Sequence, residues 1–162
     1  SKGFAMTGWR LGYIGAPNWI AAACTKIQGQ FTSAPSSITQ AAAAAALEAE
    51  PSMVDGMVEA FRRRRALMVD GLSNIARFKV NQPMGAFYVF PDISQFFGTK
   101  HQGRRIDNAD DMAMFLLEEA HVASVSGAAF GTPECIRLSY AAADEVLEEA
   151  VRRIATACDL LQ

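Results

Sequence analysis

The sequence predicts an α/β layered fold, and three observations predict it. From Ser52 onward the apolar pattern changes between helical and strand periods in the order α-β-β-α-β-β-α. Polar residues that favour helix starts stand at the expected boundaries: Ser37, Ser52, Asn108 and Asp144. Hydrophobic residues make up 51% of the 162 and charged residues 20%, which supports a packed core and argues against disorder. Pro51-Ser52 is the clearest boundary and divides the chain into residues 1–51 and 52–162.

In the first part, Leu11 to Ile14 is short and apolar enough for a buried strand, and Gly15-Ala16-Pro17-Asn18 ends it with a turn. A helix is expected over about Trp19 to Gln28, then a loop over Gly29 to Pro35. Ser37-x-x-Gln40 reads as a capping box for a helix to about Glu48, whose six alanines, Ala41 to Ala46, suit close packing against a neighbour. One strand and two helices cannot make a sheet, so partner strands are expected upstream.

In the second part, Ser52-x-x-Asp55 is expected to cap a helix running to about Ser73. Its apolar residues Val54, Val58, Phe61, Met68 and Leu72 recur at spacings of three, four or seven. Such a helix, about 30 Å long, can bridge two subdomains. Phe78 to Val80 and Ala86 to Phe90 read as strands, Ser94 to Arg105 as a loop, and Asn108 to Ala120 as a helix. A strand over Val122 to Val125, a loop over Gly127 to Pro133 and a strand over Ile136 to Tyr140 follow. The terminal helix starts at Asp144 and points Leu147, Val151, Ile154, Cys158 and Leu161 inward.

Composition excludes several classes. A net charge of −2 gives no electrostatic case for nucleic acid or an acidic membrane surface. The basic run Arg62 to Arg65 reads as a solvated helix face whose stems cover apolar surface. The longest nearly uncharged stretch, Leu11 to Ile38, is interrupted by Pro17, Asn18, Lys26, Gln28 and Pro35, which argues against a membrane span, and no signal peptide is expected. Cys24, Cys135 and Cys158 are scattered in apolar settings, fitting a reducing, cytoplasmic compartment, and no residue cluster suggests a metal. His101 reads as a loop residue and His121 as a helix C-terminal one.

The chemistry-bearing segment is SKGFAMTGWRLG, residues 1 to 12. Lys2 borders an apolar stretch, where desolvation turns an amine into a nucleophile able to form a Schiff base. Arg10, between Trp9 and Leu11, suits an anion such as phosphate, and glycines 8, 12 and 15 let backbone come close. The alternative is a surface lysine together with an arginine paired to a carboxylate elsewhere. Further on, strand alternation places Ile136, Leu138 and Tyr140 on one face and Arg137 and Ser139 on the other, which faces either a cleft or water.

The order of residues in SKGFAMTGWRLG resembles the cofactor-attachment segment of class I pyridoxal-phosphate-dependent aminotransferases, in the bacterial aspartate aminotransferase-like branch. Three further stretches resemble that family in the same order: Gln30 to Ser37, Gly85 to Phe90, and Ala129-Phe130-Gly131 followed by Ile136 to Ala141. The resemblance implies a fold-type I transferase, with residues 1–51 a remnant of the large domain and 52–162 the small domain. It implies that Lys2 forms the Schiff base with pyridoxal 5'-phosphate and shuttles a proton, that Arg10 holds the phosphate with Ser1 nearby, and that Arg137 holds the substrate α-carboxylate. Phe87 walls the substrate pocket or packs in the core.

The implied reaction transfers an amino group from aspartate to 2-oxoglutarate in a homodimer. C–S lyases, decarboxylases and aminocyclopropane-carboxylate synthases share the same fold and cations. A non-catalytic folding or dimerisation module is the remaining alternative. The family's N-terminal half, which supplies the carboxylate for the pyridine nitrogen, has no counterpart in this sequence, so the chain alone is expected to be inactive.

Overall fold

A computed structural model describes residues 1–162. The chain forms two compact units, Ser1–Met57 and Val58–Gln162.

In the first unit two short 3-10 turns, Lys2–Phe4 and Thr7–Trp9, precede helices α1 (Asn18–Phe31) and α2 (Ser37–Glu48). A further turn, Pro51–Val54, leads into α3 (Asp55–Ser73), so α3 starts later than its Ser52 signal. The strand expected over residues 11–14 does not form. Tyr13 and Ile14 are 82% and 61% exposed, and the unit contains no strand to satisfy their backbone groups. α1 continues through Gly29 to Phe31, beyond its expected end. The capping box is absent as well: Ser36 precedes α2 without a side-chain cap, and Gln40 Nε2 donates to the Pro35 carbonyl at 2.9 Å. Ala43 and Ala46 line a small pocket of about 80 Å³ with Phe4 and Leu11. Thr39 is the one buried residue of the unit, which therefore has no apolar core of its own.

The second unit is built on a three-stranded antiparallel sheet. β1 (Tyr88–Val89) pairs with β5 (Ile136–Ser139), and β5 pairs with β4 (Val125–Ser126). Tyr88 stands opposite Ser139, Val89 opposite Leu138, Val125 opposite Arg137 and Ser126 opposite Ile136. The expected strand at 78–80 reduces to one bridge, Lys79 to Asp92, and Asp92 bridges in turn to Cys135. The expected loop over 94–105 contains a hairpin, β2 (Lys100–His101) with β3 (Arg104–Arg105). Its turn residues Gln102 and Gly103 both have positive φ, 47° and 82°, as a tight two-residue hairpin turn requires.

Helix α4 (Ala109–Phe115) begins as expected, with the Asn108 side chain accepting from Asp111 N–H at 2.9 Å. One π turn, Leu116–Ala120, follows and ends at His121 in the left-handed region. Helix α5 (Asp144–Cys158) buries Leu147, Ile154 and Cys158, with Val151 half-buried and Leu161 buried just beyond its end. The core joins Met68 and Leu72 of α3, Val89 and Ile136 of the sheet, Met112 and Leu116, and Ile154 of α5. Each contributes about 1.5–3 kcal/mol by burial.

Three expectations about polar residues change. The arginine run is not merely solvated: Arg63 Nε and Arg64 Nε donate to the Asp144 carboxylate at 2.5 and 2.8 Å, and Arg65 Nη1 donates to the Pro83 carbonyl at 3.2 Å. α3 packs beside the start of α5, so one carboxylate collects two neighbouring cations. Cys24 is exposed rather than in an apolar setting, whereas Cys135 and Cys158 are buried, and all three are free thiols. His101 is no loop residue: it lies in β2 and packs its ring edge-on to Phe115 at 6.0 Å.

Candidate functional site

In the first unit Lys2 opens the turn Lys2–Phe4, and Ala5 ends it in the left-handed region at φ 53°. Arg10 ends the second turn in the same conformation, also at φ 53°, and its Nη1 donates to the Thr7 carbonyl at 2.8 Å. That bond bends the side chain back over its own turn. Lys2 and Arg10 are both exposed, and neither forms an ion pair. The desolvated amine considered for Lys2 is therefore not produced by this chain. Arg10 lines a cleft of about 670 Å³ with Gly12, Tyr13, Thr25, Gln28 and Ser33. Ser1 lines the separate small pocket with Phe4. An exposed amine and a guanidinium fork, neither paired with a carboxylate, are chemically able to meet a carbonyl carbon and an anion.

In the second unit the alternation expected for β5 holds. Ile136, Leu138 and Tyr140 are buried, Arg137 is half-buried and Ser139 exposed. The Arg137 guanidinium carbon lies 4.4 Å from the centre of the Tyr88 ring and 4.5 Å from that of Phe130. Tyr88 reaches it from β1, diagonally across the ladder, and Phe130 from the turn Gly127–Phe130. Arg137 makes no ion pair or side-chain hydrogen bond with the protein, and none of its nitrogens is buried without a partner. Its N–H edge is open to a ligand.

Phe87 is half-buried and packs against Phe61 at 6.0 Å and Tyr88 at 4.6 Å. It borders the core and supports the ring that touches Arg137. Tyr88 and Phe130 were not singled out by sequence reasoning. The period-2 pattern could have placed Tyr88 beside Arg137 once the β1–β5 pairing was known, whereas no local signal marks Phe130. No group of three or more His, Cys, Asp or Glu side chains is arranged to hold a metal ion, and no helix is long and apolar enough to cross a membrane.

The model of the family "Aminotransferase class I and II" matches residues 1–154. The chain belongs to that family, whose class I members use pyridoxal phosphate. It is 49% identical over 158 residues to a bifunctional aspartate aminotransferase and glutamate/aspartate-prephenate aminotransferase of Petunia hybrida, covering 95% of this chain and 33% of that protein. It is 46% identical over 162 residues to an aspartate aminotransferase of Rhizobium meliloti strain 1021, covering 99% of this chain and 40% of that one. The crystal structure of the aspartate aminotransferase from Rhizobium meliloti superposes with a TM-score of 0.95 at 44% identity, over 99% of this chain and 40% of that one. The fold is thus part of a fold-type I transferase, and the chain spans 33 to 40% of the length of these three relatives.

Proposed function

We propose that this chain is the C-terminal portion of an aminotransferase that moves an amino group from aspartate to 2-oxoglutarate. One observation carries the reading: Lys2, Arg10 and Arg137 have no carboxylate partner, in a chain where most arginines are ion-paired. Unpaired cations are what a covalent, a phosphate and a carboxylate contact require. Residues 1–51 are read as the remnant of the large domain and 52–162 as the small domain. The open first unit, with Trp19, Phe31 and Ile38 exposed, supports a further layer packing there in the whole protein.

Pyridoxal phosphate supplies the electron sink that makes the substrate Cα–H acidic. Lys2 is the covalent attachment point, and its Nζ takes and returns the Cα proton. Arg10, with Ser1 beside the same segment, holds the phosphate. Arg137 fixes the α-carboxylate and so orients the Cα–H bond, and Phe87 walls the pocket through Tyr88. Prephenate is a second candidate acceptor, because similar proteins are named for it. A cytoplasmic homodimer completes the reading, supported by the free thiols and the exposed apolar groups.

The test is the full-length protein with aspartate and 2-oxoglutarate or prephenate, followed by product analysis. New glutamate is expected, and Lys2→Ala should lower turnover by at least a thousandfold, on the order expected for a covalent catalyst. A lyase or decarboxylase product, or full activity in Lys2→Ala, would overturn the reading. The chain alone should show no turnover, and borohydride should fix little pyridoxyl label on Lys2.

A further inference from the structure

We infer that Tyr88 and Phe130 form an aromatic clamp that makes Arg137 select planar carboxylates over tetrahedral oxyanions. This rests on the reading of Arg137 as the carboxylate holder. The geometry behind it is independent of any relative: two rings from separate elements lie 4.4 and 4.5 Å from one guanidinium carbon. Ring faces attract the cation without consuming its N–H donors.

Both rings are held in place. Tyr88 leans on Phe87 at 4.6 Å, and Phe130 meets Phe90 edge-on at 6.0 Å. Phe130 is further fixed by its turn, in which Gly127 N–H donates to the Cys135 carbonyl at 2.7 Å. A carboxylate lies in the plane of the guanidinium fork and meets two N–H groups without leaving that plane. A sulfonate or phosphonate carries a third oxygen out of the plane, toward the ring faces, whose negative potential repels it. Tyr88 and Phe130 are thus positioning residues that set specificity by closing off the other approaches.

The 162-residue chain permits a direct test. The side-chain Nε–H signal of Arg137 is followed by NMR while propionate or ethanesulfonate, which share an ethyl group and differ in the anionic head, is added. The wild type should prefer propionate. Tyr88→Leu and Phe130→Leu should each reduce the propionate-to-ethanesulfonate preference by about fivefold, the order expected for removing one ring's electrostatic contact with the third oxygen. Tyr88→Phe, which keeps the ring, should retain it. Amide spectra check that each variant folds; should Tyr88→Leu unfold, Phe130→Leu decides, because Phe130 is half exposed. A wild type without preference, or a Phe130→Leu variant that keeps it, overturns the clamp and leaves the carboxylate reading intact. An Arg137 signal that responds to neither anion overturns both.

Discussion

Asp144 and Glu149 both have carboxyl groups held down to about 2, yet their consequences differ. For Asp144 the main cause is its hydrogen bond with Arg63, then that with Arg64; for Glu149 it is the bond with Arg152, then that with Arg153. Asp144 ties α5 to α3 across the unit, whereas the Glu149 partners lie three and four residues away on its own helix. A depressed carboxyl stabilises the fold above its unfolded value near 4 and loses that contribution as pH falls toward about 2. Asp144→Asn should therefore lower the melting temperature at neutral pH. The gap to wild type should narrow below about pH 4 and close near pH 2. Glu149→Gln should change little at any pH, because an exposed local pair is screened by water and salt. Thermal melts from pH 2 to 7 check both. Residue chemistry was partly legible in sequence: the Asn108 cap and the face of Arg137 were read correctly. The role of Arg63 and Arg64 was not, since their partner lies about eighty residues on and only packing brings it near.

At the level of elements, two glycines mark the tightest contacts. Gly71 on α3 faces Val151 on α5, and a Cβ there would sit 2.8 Å from a Val151 methyl. Alanine would gain about 1 kcal/mol of helix propensity but lose about 1–3 kcal/mol to overpacking against a stiff β-branched neighbour. Gly71→Ala is therefore expected to destabilise the chain mildly. In a Val151→Ala background the same substitution should stabilise it, and a double-mutant cycle by urea unfolding reads the coupling. Gly127 is stricter. A Cβ there would overlap the carbonyl oxygens of Thr132 and Cys135, which are backbone and cannot rotate away. Gly127→Ala should cost about 3 kcal/mol and loosen the turn that carries Phe130. A denaturant midpoint within error of wild type would contradict this.

Helices were the most legible elements, since a 3.6-residue apolar stripe is a local signal. The failures were strands. Residues 11–14 have strand-like composition but no partner, and the 100–105 hairpin has partners but a polar sequence with a Gln-Gly turn. Pairing, not composition, decides a strand.

At the scale of the whole molecule, buried apolar side chains are confined to the second unit, from Met68 to Leu161. Local stability follows buried contact, so limited proteolysis of the chain should cut first within residues 1–57 and leave a product covering most of 58–162. Early cleavage inside α4 or α5 would contradict this. Thiol labelling should follow the same division. Cys24 is exposed and should react at once, whereas burial pushes the Cys158 thiol up to about 12, so it should react only on unfolding.

The sequence by itself determined the family and the order of helices, because family motifs and helical periods are written in neighbouring residues. Only the tertiary structure decided which strands exist, which carboxylate collects the arginine run, and that Arg137 lies against two aromatic rings with its N–H edge free. Those depend on residues far apart in the chain meeting across a sheet or between helices, and no local pattern records which of them will meet.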